Sequence, residues 1–92
     1  MVWENVNLPF NITMTKKIKL IWDFRGTGAI KTAEHHEIHI KEFFVKENLP
    51  LPITGFEDIN EFYAIAFLVV PENEMIQFRD ILKPHRGEYY EF

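Results

Sequence analysis

Three of the four histidines fall within five residues of one another, as His35, His36 and His39. On a helix His35 and His39 are one turn apart, as are His36 and His39, so each pair can share a face. Two imidazoles at that spacing can grip a divalent ion, and Glu42, a turn beyond His39, adds an oxygen. His35, His39 and Glu42 are therefore the metal alternative. The order His35-His36-Glu37-Ile38-His39 does not frame a glutamate between two histidines as a zinc protease does, and the ordinary reading is histidines solvated or bonded to carboxylates. His36 is different. Its helical angle places it between Ala33, Ile40 and Phe43, on the stripe that must meet a core. A histidine there has to satisfy its ring nitrogens inside the core or face a polar cavity. In a cavity it would serve as acid or base near neutral pH, with His39 about 60° away around the helix.

Other polar residues have positions from which they could assist. Asp23 can orient a cavity histidine, or simply pair with Arg25 or Lys19. Tyr63 can offer its hydroxyl to a ligand, or pack its ring and leave the hydroxyl wet. Trp22 and Arg25 flank Asp23. His36, His39 and Asp23 form the candidate catalytic set, and Trp22, Tyr63 and Arg25 the candidate ligand contacts. Arg25-Gly26-Thr27-Gly28 before a helix is a weak anion-binding signal, lacking the spacing and lysine of a phosphate loop. His85-Arg86-Gly87 reads as a basic turn leading out of a helix.

The elements that must position these residues follow from hydropathy. Lys17 to Arg25 alternates, with Ile18, Leu20, Trp22 and Phe24 on one face and Lys19, Ile21, Asp23 and Arg25 on the other, which predicts a strand. Thr27 is placed to cap a helix from about Gly28 to Asn48, in which Ala29, Ala33, Ile40, Phe43 and Phe44 converge within about 100°. Ile38 and Val45 stand off that stripe. Pro50 and Pro52 follow its end. Ile53 to Ile59 predicts a weaker strand with Gly55 as a bulge. Phe62 to Val70 is apolar at every position but the Tyr63 hydroxyl, as a central strand buried on both faces would be. Pro71-Glu72-Asn73-Glu74 opens a second helix, acidic at its start, with Met75, Phe78, Ile81 and Leu82 as its apolar face. Lys83 and Pro84 end it, and Gly87 to Phe92 predicts a last strand.

The order β-α-β-β-α-β is the split arrangement of ferredoxin-like α+β domains: a four-stranded antiparallel sheet with two helices on one face. From Lys16 to Phe92 this order, with the strand burial and size, resembles the dimeric α/β-barrel superfamily, and Ala33 to Phe43 is similar to the first helix of small uncharacterised bacterial proteins. No diagnostic subfamily motif accompanies the likeness. The resemblance implies a homodimer closed through the open sheet faces and a ligand cavity between sheet and helices.

Composition agrees with one such domain and narrows its role. The chain has 92 residues, too few for separate cores, and no cysteine, which excludes disulfides, thiolate metal sites and cysteine nucleophiles. A net charge of −4 argues against nucleic acid as a partner, and no apolar run approaches the ~20 residues of a membrane span. Fourteen aromatic residues (nine Phe, three Tyr, two Trp) exceed what so small a core hides, which again favours a homodimer. Residues 1–15 read as an N-terminal arm or an upstream extension, and 16–92 as the domain. In Met1 to Thr13, Val2, Trp3, Leu8, Pro9 and Phe10 are interspersed with Asn5, Asn7 and Asn11 without a clean period of two or 3.6, and the basic start and unbroken apolar core of a secretory leader are missing. The expectation is a cytoplasmic, cofactor-free protein binding a small molecule between sheet and helices, with acid/base chemistry at His36. The rival is a non-catalytic assembly module.

Overall fold

A computed structural model describes residues 16–90. Strand β1 (Lys17–Arg25) leads to helix α1 (Ala29–Lys46), strands β2 (Ile53–Asn60) and β3 (Tyr63–Pro71), a short 3-10 turn (Glu72–Glu74), helix α2 (Met75–Leu82) and strand β4 (Arg86–Tyr90). The sheet order is β2-β3-β1-β4 with every neighbour antiparallel. This is the ferredoxin-like arrangement, with β1 and β3 central as their apolar content requires. No described helix is long and apolar enough to cross a membrane.

The pleat of β1 sorts its residues as the alternation predicts. Ile18, Leu20 and Trp22 join Leu68 and Val70 of β3, Ile40 and Phe44 of α1 and Phe78 of α2 in one core, with Phe24 against its edge. Ala64 and Ala66 meet Ala29 and Ala33, and these four small side chains let α1 approach the sheet closely. The turn of α1 between Ala33 and Ile40 brings Glu37 into the buried row instead of an apolar residue. Its carboxylate accepts the Thr54 hydroxyl at 2.7 Å and pairs with Lys41 at 3.3 Å, which makes the position tolerable.

Several local expectations are corrected. Thr27 does not cap α1; the N-cap is Gly28 and carries no side-chain bond. The helix instead ends in a reciprocal closure: Asn48, in the left-handed region (φ 61°), donates its N–H to Val45 O, Leu49 donates to Phe44 O, and the Leu49 side chain packs on the core. The bulge in β2 lies between Asp58 and Asn60, not at Gly55. Gly55 stays in register with Phe67, whose ring lies where a Cβ would be, 2.6 Å from the nearest ring carbon. Of the residues expected to form the α2 face, Phe78 is buried, Met75 and Leu82 pack partly, and Ile81 is 53% exposed. An eight-residue helix cannot turn a whole stripe onto a sheet that α1 already half covers.

Candidate functional site

Beyond Ile21, strand β4 stops pairing with β1, because Pro84 turns the chain away. His85 completes the edge in two ways. Its backbone N–H donates to Ile21 O at 2.9 Å, and its ring Nδ1 accepts the Asp23 backbone N–H at 2.9 Å. A neutral His85 therefore carries its proton on Nε2. Its ring faces Phe24 at 6.3 Å between centroids, and Phe24 in turn lies 5.5 Å from His36. His36 also sits 4.7 Å from Trp22, tilted by 52°. The Trp22 indole N–H donates to Leu82 O at 3.2 Å, tying β1 to the end of α2.

His36 Nε2 is buried without a hydrogen-bond partner among the described residues. Burial, then the neighbouring His39 and His85, holds its pKa below the ordinary histidine value, so the ring is neutral at pH 7. It lies on the helix side of the sheet, as its angle on α1 predicts. The rest of the candidate catalytic set is elsewhere. His39 points to solvent and pairs with Glu42 at 3.1 Å. Asp23 projects from the opposite face of β1, on which no described helix packs, so the sheet itself separates its carboxylate from His36.

On that second face Asp23 is held by two side chains. The Tyr63 hydroxyl donates to it at 2.5 Å, and Arg86 reaches both carboxylate oxygens at 3.0 Å. Chiefly through the Arg86 bonds, its pKa falls to about 2. Arg25 lies over the Tyr63 ring at 4.0 Å. Asp23 thus pairs with neither Arg25 nor Lys19; Lys19 instead reaches Glu57 at 3.9 Å and covers the Phe67 ring at 4.4 Å. Tyr63 and Arg25 are engaged with this network rather than with Trp22, which faces the helices. No group of three or more His, Cys, Asp or Glu among the described residues could hold a metal ion, so His35 does not complete a site with His39 and Glu42.

Sequence reasoning missed the cleft that begins at His85. On the helix side of β4 the outward positions are His85, Gly87 and Tyr89, and α2 lies across from them. Between them is an open cleft of about 420 Å³ with Ile18 and Leu20 at its base, Met75 and Arg79 on the α2 wall, and Tyr89 at its far end, where its hydroxyl donates to Glu72 at 2.8 Å. Gly87 creates much of this space. A Cβ there would stand 3.5 Å from Ile18 and Leu20, in ordinary contact, so the residue's lack of a side chain is not forced by crowding. The available signal was the pattern His85-x-Gly87-x-Tyr89, a small residue between two large ones on one strand face. A second cleft of about 520 Å³, between the Leu49–Ile53 connection and the end of β3, is walled by Phe44, Leu51, Val70 and Phe78. No protein-family model, no curated protein and no solved structure matches the chain.

Proposed function

We propose that the protein binds a small, mostly apolar molecule with one polar group in the cleft between α2 and β4. The observation that carries this reading is the space over Ile18 and Leu20 that Gly87 leaves open, with His85 and Arg79 beside it. Its volume is within the range of small-molecule sites, roughly 300–1,000 Å³, and an apolar base with a few polar groups at the rim is their usual make-up. The Nε2–H of neutral His85 supplies a donor for the ligand's polar group, while Ile18, Leu20 and Met75 take its apolar body. The reading is one of binding rather than of proton transfer: Asp23 lies across the sheet from His36, and His39 points to solvent.

A fragment screen by thermal shift, run in parallel on the wild-type chain and Gly87→Leu, tests this. The leucine fills the cleft at a position whose backbone accepts a side chain. Compounds present at ~100 times their Kd should raise the wild-type Tm by roughly 10 °C or more and leave Gly87→Leu unmoved. Equal shifts in both proteins, or a screen without hits, would count against the cleft.

A further inference from the structure

The two edges of the described sheet are built differently. At one edge β4 is short and carries Arg86 and Glu88, both exposed. At the other, β2 runs for eight residues and pairs on one side alone, with β3, among the described strands. It holds no lysine, arginine or proline, the residues that ordinarily keep an edge from meeting another strand. It exposes apolar side chains instead: Ile53 by 46%, Phe56 by 37% and Ile59 by 47%. Helix α1 adds to the same edge. The bond from Thr54 to Glu37 seats the helix over β2. Ile38 and Val45, both exposed, lie within about 100° of Glu37 around α1, on the flank opposite His36, which meets Trp22.

This edge is complementary to itself. An antiparallel copy related by a two-fold axis at Phe56 sets Phe56 opposite Phe56, Gly55 opposite Glu57 and Thr54 opposite Asp58. Beyond these, Ile53 of each copy comes beside Ile59 of the other, where the bulge leaves Ile59 without a partner in β3. Ring then meets ring at the centre, and no charge faces a like charge. An axis at Glu57 or Asp58 would set two carboxylates opposite each other, and one at Gly55 would oppose Ile53 to Glu57. The charges that remain have partners. Glu57 stays with Lys19 of its own chain. Lys41 meets the same Glu37 oxygen that accepts the Thr54 hydroxyl, so a cation stands beside the place the incoming Asp58 takes.

We propose that two copies of the chain join through β2, antiparallel about Phe56, into one continuous sheet. Main-chain hydrogen bonds along the seam supply the pairing, and the side chains of Ile53, Phe56 and Ile59 set its register. The same axis turns the α1 flanks that carry Ile38 toward each other above the seam. The cleft between α2 and β4 is at the opposite edge and stays open.

Light scattering on the full chain at micromolar concentration should report twice its 11.0 kDa mass. Phe56→Lys, which sets two ammonium groups against each other on the axis, should give the single-chain mass with an unchanged far-UV circular dichroism spectrum. Ile76→Lys, at an exposed position on α2, should remain dimeric. The absence of native cysteine allows the register to be read. Under mild oxidation, a mixture of Thr54→Cys and Asp58→Cys chains should form disulfide-linked dimers at least tenfold faster than either variant alone, because only the mixed pair falls opposite. A wild-type chain of single mass overturns the proposal. So does a folded Phe56→Lys chain that stays dimeric, which would assign the pairing to another surface such as the sheet face. Cross-linking of Thr54→Cys by itself as fast as the mixture overturns it too. Were Phe56→Lys not to fold, the wild-type mass and the cysteine mixture would still decide.

Discussion

At His36 the folded chain holds an imidazole against Trp22 and Phe24 with one ring nitrogen buried and unpaired, and the consequence is a pH dependence of definite sign. Burial lowers its folded pKa, so the unfolded chain binds the extra proton more readily. Stability is complete above the unfolded value of about 6.5 and is lost as pH falls through and below it. Urea unfolding should therefore give a lower midpoint at pH 5 than at pH 7.5, and His36→Phe should narrow the gap. Asp23 acts in a separate window. Its folded pKa of about 2 is below its ordinary value, so its contribution is present above about pH 4 and fades only as pH falls toward 2. Asp23→Asn should cost about 1–2 kcal/mol at neutral pH, the modest end of the range for charge-assisted bonds because Arg86 is half in water. Most of that loss should be gone at pH 2, where wild-type Asp23 is about half protonated.

Among the elements, the β2–β3 pair depends on one contact between a glycine and a ring. Phe67 lies over Gly55 and beneath the Lys19 ammonium, so Gly55→Ala must push the ring aside and break up that stack. We expect a loss of about 1–2 kcal/mol in unfolding free energy, as for other overpacked contacts. Phe67→Leu in the same chain should recover most of it, and simple additivity of the two losses would exclude the contact as the cause. This pair also marks the limit of what the sequence makes legible. Alternation gives β1 and β3 and their faces, and the 3.6-residue period gives α1, because those signals are set by each element's own burial. It does not reveal that position 55 is a glycine because the ring of its cross-strand partner Phe67 needs the space, nor that Glu37 is buried where the Thr54 hydroxyl meets it. Such features depend on partners distant in sequence. The site divides in the same way: His36 is placed on the inner stripe by its angle alone and the alternation of β1 sets Asp23 on the opposite face, whereas the pairing of Asp23 with Arg86 and the cleft at Gly87 depend on how β4 is registered against β1.

For the molecule as a whole, the cleft has its own consequence. Its outer wall, β4, pairs with the rest of the sheet along one side and over only five residues, helped by the His85 ring and the Arg86–Asp23 pair at one end. A strand so lightly tethered opens before the central ones, and its amides should exchange with deuterium soonest among the four. Whatever occupies the cleft leans on that strand from inside, so occupancy should slow the exchange of Gly87 and Tyr89 far more than that of Leu20 or Leu68. The wall itself would report the guest.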